Sequence, residues 1–130
     1  MKNVYRDFVL RYASLIDSKK FKALQEILHP QFTMSGTFDI EGAENFIASL
    51  DQLNHFDATM HCVSNIQILK NSENSLTGQC YCIASHINNK EKTKLDMGIV
   101  YTDTLSLEGN KWVIKNRDFK LLYQITSEII

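Results

Sequence analysis

Five side chains in this sequence are of types that move protons near neutral pH: Tyr12, Asp17, His61, His86 and Asp103. Imidazole titrates close to neutrality, a carboxylate orients it and favours its charged form, and a phenol or protonated carboxyl donates to an oxygen that is gaining charge. Asp103 stands out by position, because the odd residues around it read Met97, Ile99, Tyr101, Asp103, Leu105 and Leu107. An ionised carboxylate on that apolar face is expensive to bury. It must be paired or hydrogen-bonded, for instance by a threonine or Arg117, or else be carried protonated with a raised pKa and act as a donor. His86 follows Gly78, Cys80, Cys82 and Ala84 along one strand face, where small side chains leave room for a cavity, and His61 shares its own face with Val63 and Asn65. Tyr12 belongs to the apolar face of a helix that Asp17 ends. Asp17 either caps the helix that follows or, since Ser18 caps equally well, faces a histidine. His29 and His55 stand beside turn signals and are set aside.

Other chemistries find little footing. His61, His86 and a carboxylate are the components of a two-histidine, one-carboxylate metal site, but they lie on separate elements without ligand spacing, so neither a metal nor a cofactor is expected. Glycine-rich phosphate loops, a serine nucleophile elbow, CxxC and HExxH are absent from the sequence.

The elements that must position these groups are legible from period. Tyr5, Phe8, Val9, Tyr12, Ala13 and Ile16 recur at helical spacing, and a second short helix carries Phe21, Leu24 and Leu28 until His29-Pro30 stops it. Residues 31–40 read as an extended segment broken at Gly36, and residues 42–53 return to helix with Ala43, Phe46, Ile47 and Leu50 on one side. From residue 58 the period becomes two. Strands are expected over 58–69, 75–87, 95–107 and 111–124, separated by short polar turns such as Glu108-Gly109-Asn110. Such short connections require an antiparallel meander, since parallel neighbours need long crossovers. Helices first and strands after make an α+β domain, and strands of this length should curl into a sheet whose concave side, closed by helices, encloses a pocket.

Composition narrows the partners. With 130 residues, 44% hydrophobic and 22% charged, the chain is expected to form a single domain over 1–130 around one core. Fourteen Lys and Arg against fifteen Asp and Glu give a net charge of -1, which provides no field for nucleic acid or an anionic membrane. No apolar run approaches the roughly 20 residues of a spanning helix. The N-terminal residues lack the pattern of a signal peptide, so a cytoplasmic location is expected, with Cys62, Cys80 and Cys82 reduced.

The order of elements resembles the cone-shaped nuclear transport factor 2-like fold, and within it the SnoaL-like domains. The resemblance runs over nearly the whole chain. It is carried by Arg11-Tyr12-Ala13 through Asp17 with Leu24 and Pro30, by Gly42, Thr59-Met60-His61 with Asn65, and by His86. Further along, Gly98, Tyr101-Thr102-Asp103, Trp112-Val113-Ile114 and Arg117 complete it. Two enzyme types of this superfamily imply roles for these positions. By resemblance to scytalone dehydratase, Asp17, His61 and His86 surround a water that accepts and returns protons, although Ile16 stands where a carbonyl-activating tyrosine would be expected. By resemblance to ketosteroid isomerase, Tyr12 and a protonated Asp103 hold an oxyanion; that enzyme is the established case of a carboxylic acid kept neutral near pH 7 by its apolar surroundings. The base of that enzyme would lie near Gly36, where Asp39 is the nearby carboxylate.

Combined, the two imply that Asp17 orients His86, that His86 and His61 shuttle a proton, and that Tyr12 and Asp103 hold a carbonyl oxygen. The implied activity is a cofactor-independent dehydratase or isomerase acting on a small, largely hydrophobic carbonyl compound. The alternative is a non-catalytic module of the same fold that binds a hydrophobic ligand or serves as a dimeric accessory subunit. Resemblance also implies a homodimer through the outer sheet face, with Val100, Trp112 and Ile114 contributing.

Overall fold

The computed structural model describes residues 3–130. Helix α1 (Val4–Asp17) buries Tyr5, Phe8, Val9, Tyr12, Ala13 and Ile16, the apolar stripe read from the sequence, and Asn3 caps it by accepting from the Arg6 N–H at 2.9 Å. The helix stops in a Schellman turn: the Lys20 N–H reaches Leu15 O, the Lys19 N–H reaches Ile16 O, and Lys19 takes the left-handed conformation with φ 58°. Lys19 Nζ then donates to Phe56 O at 2.7 Å. That tie holds the end of α1 against the strand that begins two residues after Phe56.

A 3-10 turn (Phe21–Glu26) replaces the expected second helix, and strand β1 (Leu28–Gly36) already includes Leu28 and Pro30. Pro30 therefore sits inside an extended segment and not at a helix stop. It is tolerated there because its missing N–H falls where the pairing of β1 is irregular, between Leu28 and Thr33. Strand β2 (Ile40–Glu41) turns back on β1, helix α2 (Ala43–Ser49) follows, and a second 3-10 segment (Leu50–His55) takes up the second half of the helix expected over 42–53. Four long strands complete the chain: β3 (Ala58–Asn71), β4 (Ser75–Asn88), β5 (Thr93–Glu108) and β6 (Lys111–Glu128).

The sheet runs in the order β2-β1-β6-β5-β4-β3. All neighbours are antiparallel except β1 with β6, whose connection contains the whole meander. It is curved and open, with β2 and β3 as edges, and α1, α2 and the 3-10 segments lie over its concave face. Side chains that are opposite in register share a face. The inward face of β4 therefore presents Cys80, Cys82, Ala84 and His86, as the alternation predicts, and all four are buried. Gly78 continues that row under Tyr5, where an added Cβ would meet the ring at 2.5 Å, so α1 packs onto the sheet only because position 78 has no side chain.

The outward face is apolar over several strands. Met60, Tyr81, Ile83, Tyr123 and Ile125 are all exposed on it, and Val100 is partly exposed. Ile114, expected to contribute to that surface, is instead 0% exposed and belongs to the core, and Trp112 packs partly buried against that core. A register shift between Thr104 and Leu105 causes this. It skips Lys115 on β6, so that Ile114 falls opposite the buried Leu105 on the inner face. No helix among the described residues is long and apolar enough to cross a membrane.

Candidate active site: an aspartate-histidine pair in an apolar cavity

Asp17 is the last residue of α1, and the Schellman turn after it aims its carboxylate at β3 instead of at the next helix. Its Oδ1 lies 2.6 Å from His61 Nδ1 and accepts from Thr59 Oγ1 at 2.9 Å, while Oδ2 accepts the His61 backbone N–H at 2.9 Å. Asp17 thus caps nothing. Ser18 instead donates its hydroxyl back to Ser14 O at 2.8 Å. Burial pushes the Asp17 pKa up, but the donors from His61 and Thr59 outweigh it and hold the carboxyl below its ordinary value. The carboxylate is the stable form, and because it accepts from Nδ1 it leaves Nε2 as the nitrogen that can give up or take a proton.

The expected pairing of Asp17 with His86 does not occur. Asp17 reaches β3, and His86 Nδ1 lies 3.1 Å from Leu95 O on β5. A carbonyl only accepts, so Nδ1 carries the hydrogen and Nε2 of the neutral ring is free of any protein partner among the described residues. Burial pushes the His86 pKa down, and the nearby His61 adds to this against the opposing Leu95 carbonyl, which keeps the ring neutral near pH 7. The two imidazole rings lie 6.2 Å apart between centroids, nearly edge to face, and Phe56 covers His86 at 5.1 Å.

Both histidines open onto one cavity of about 510 Å³ between the concave sheet and the helical layer. Its walls are largely apolar, including Ile16, Met34, Phe46, Met97, Ile99 and Phe119. Tyr12 and Tyr101 line it too, and Gln52, His55 and Gln124 add polar groups. His55, set aside beside its turn signal, is therefore part of the wall. Asp39, the carboxylate closest to Gly36 in sequence, is exposed and not part of that wall. Among the described residues no three His, Cys, Asp or Glu side chains group as a metal ion would require.

Asp103 takes the paired alternative and not the protonated one. Arg117 Nε donates to Oδ1 at 2.8 Å, Arg117 Nη2 to Oδ2 at 3.1 Å, and Tyr5 Oη to Oδ2 at 2.6 Å. Asp103 and Arg117 are 0% and 1% exposed, and they are directly opposite in the β5–β6 register. With both oxygens taken by donors and no place in the cavity wall, Asp103 is a fixed acceptor behind the site. Arg117 is covered by two rings, its guanidinium carbon 4.2 Å from the Tyr12 centroid and 3.6 Å from that of Tyr101. Tyr12 and Tyr101 themselves face the cavity.

The sequence pattern assigns no role to Thr59 or Tyr101, and it offers Arg117 only as one candidate partner of Asp103. Each nonetheless carries a signal: Thr59 precedes His61 by two, Tyr101 precedes Asp103 by two, and Arg117 lies on the strand that pairs with that of Asp103.

Solved structures share the fold over nearly the whole chain. A putative scytalone dehydratase from Novosphingobium aromaticivorans superposes with TM-score 0.84 at 21% identity, covering 96% of this chain and 85% of that one. Hexachlorocyclohexane dehydrochlorinase LinA-type3 from Novosphingobium barchaimii gives TM-score 0.81 at 13% identity, covering 94% and 86%. ActVI-ORFA from Streptomyces coelicolor gives 0.74 at 14%, covering 89% and 92%. At these identities the likeness is one of fold, the nuclear transport factor 2-like cone. No curated protein matches the chain. The model of the SnoaL-like domain matches residues 5–118, from the first buried tyrosine of α1 to the strand that carries Arg117, and the chain belongs to that family.

Proposed function

We propose that this SnoaL-like domain is a cofactor-independent acid/base enzyme, of dehydratase or isomerase type, acting on a small and largely apolar carbonyl compound. One observation carries the reading: the Asp17 carboxylate grips both the ring and the backbone N–H of His61, whose other nitrogen is left for the cavity. In that arrangement His61 Nε2 takes a proton from a carbon beside the carbonyl, and Asp17 stabilises the imidazolium that forms. The proton returns to the departing hydroxyl in an elimination, or to another carbon in a double-bond shift. His86, neutral and 6.2 Å away between ring centroids, presents a second lone pair that orients a hydroxyl or a water between the rings. The apolar walls exclude water and select for hydrocarbon bulk.

The reaction is tested without knowledge of the natural substrate. Small ketones with acidic α-hydrogens are incubated in D2O, and deuterium incorporation is followed by NMR for the wild type and for His61→Ala. Exchange catalysed by the wild type and lost in the variant supports the reading. Exchange at the buffer rate with every ketone that binds the cavity would favour a non-catalytic binding module.

The same reading includes a homodimer. The outer sheet face carries Met60, Tyr81, Ile83, Tyr123 and Ile125 in exposed positions, and a second copy related by two-fold symmetry would cover these apolar side chains.

A further inference from the structure

Lys19 occupies a backbone conformation that does not suit its type. It holds the left-handed position of the Schellman turn after α1, with φ 58°, its own N–H on Ile16 O and the Lys20 N–H on Leu15 O. Glycine is favoured at that position, because a Cβ crowds the neighbouring carbonyl there. A lysine gives up stability that glycine would provide, and backbone strain of this kind points to a use for the side chain. That side chain reaches across to the segment before β3, where Nζ donates to Phe56 O at 2.7 Å.

Phe56 ends the 3-10 segment Leu50–His55. Leu50, Gln52, Leu53, His55 and Phe56 all line the cavity, so this segment is one of its walls. The wall is lightly attached. Leu50 is buried, but Asp51, Gln52, Asn54 and His55 are exposed, and the Asn54 amide bonds within the segment, to Asp51 Oδ1 at 3.0 Å. Helix α2 carries the start of the wall. Past its other end, Asp57 roots β3, donating its N–H to Ile87 O at 2.8 Å and accepting the Asn89 N–H at 2.6 Å. Between these two supports the Lys19 bond draws Phe56 in, and the Phe56 ring lies 5.1 Å from that of His86. A segment with little buried surface and an exposed hydrogen bond at its end opens at small cost.

We propose that Lys19 is a positioning residue that latches this wall of the cavity. With the bond made, Phe56 closes over His86 and the cavity is shut on that side; with it broken, the wall swings out from the end of α2 and lets a ligand pass. One turn then serves both histidines. Asp17 orients His61, and Lys19, two residues later, sets the cover of His86. The proposal needs a ligand that occupies the cavity but no particular reaction there, so it stands or falls separately from the acid/base reading.

The test compares the intact wild type with Lys19→Gly, Lys19→Met and Lys19→Arg. Glycine suits φ 58°, so Lys19→Gly should keep or raise the urea midpoint while removing the latch. Methionine keeps an apolar stem without the donor. Amide hydrogen exchange followed by NMR should quicken by about three- to tenfold over residues 53–56 in both variants, with the amides of β4 and β5 no faster in Lys19→Gly. Release of Prodan, a naphthyl ketone whose fluorescence reports apolar surroundings, should quicken by a similar factor in stopped-flow measurements. Lys19→Arg, which restores a charged donor, should return both rates toward the wild type. Exchange over 53–56 unchanged in Lys19→Gly, faster exchange spread evenly through the sheet, Prodan release indifferent to residue 19, or no saturable Prodan binding would overturn the proposal.

Discussion

Asp17 binds His61 twice: Oδ1 lies 2.6 Å from ring Nδ1, and Oδ2 accepts the backbone N–H of the same residue at 2.9 Å. One carboxylate therefore fixes ring orientation and tautomer together, and it does so from the last residue of α1, across to β3. Replacing His61 by Ala should lower ketone deuteration by about 10²- to 10⁴-fold, the usual worth of a positioned acid/base group. Asp17→Asn should cost on the order of 10²-fold or more, because an amide can donate to Nδ1 and move the ring hydrogen to Nε2, removing the lone pair from the cavity. Thr59→Val removes a single donor to Asp17 and should cost less than either. NMR-monitored exchange rates check the order, and an Asp17→Asn enzyme as fast as the wild type would contradict it.

Stability should fall on the acid side for a definite reason. Burial holds the folded-state pKa of His86 below its unfolded value, so the unfolded chain binds more protons there. The stability His86 contributes is therefore present above the unfolded pKa, about 6.5, and is lost as pH falls through the folded value. Asp17 has the same sign, its pKa being lowered by the His61 and Thr59 donors against burial, and its share is lost at still lower pH. Urea midpoints measured from about pH 7.5 downward should decline for the wild type. In His86→Gln the decline should be shallower near pH 6, whereas Asp17→Asn should flatten the curve only in the carboxylate range. Parallel curves for wild type and His86→Gln would exclude this linkage.

The Asp103–Arg117 pair is structural support for the site and not a proton donor. Asp103→Ala leaves the Arg117 charge buried without its partner, and breaking such a pair costs about 3–5 kcal/mol. The expected outcome is a large drop in the urea midpoint with loss of ketone binding, since the guanidinium that Tyr12 and Tyr101 pack against loses its anchor. A variant that keeps stability but loses only turnover would instead identify Asp103 as a group acting on the ligand.

For the outer face, Tyr81→Lys with Ile83→Lys places two like charges where a second copy would sit. Light scattering should give twice the chain mass for the wild type and the single mass for the double variant, with the fold retained by circular dichroism. A wild type at monomer mass would remove the dimer.

Much of the architecture is legible in the sequence because period reports burial directly. The α1 stripe and the four long strands follow from apolar spacing alone, and so does the inward row from Cys80 to His86. The second helix fails at Leu28 because three apolar residues fit a helix turn and the start of a strand equally well. The bulge that turns Ile114 inward has no local signature. At the site, alternation places His61, His86 and Asp103 on inward faces, but pairing depends on register between elements. Asp17 reaches His61 and not His86 because α1 ends over β3, and Asp103 meets Arg117 because β5 and β6 align these two residues. Neither fact is written in the spacing along one strand. Tyr101 escapes notice because an aromatic on an apolar face reads as core, and only the fold puts it in the cavity wall against Arg117.

The most direct measurement is a long-range 1H–15N NMR spectrum of the histidine rings, with and without a saturating ketone. It should show a strongly deshielded Nδ1 proton of His61 in the bond to Asp17, and an Nε2 resonance that moves when the ketone binds. Hydrogen on Nε2 of His61, or an Nε2 signal indifferent to the ligand, would contradict the account of His61 as the base of this cavity.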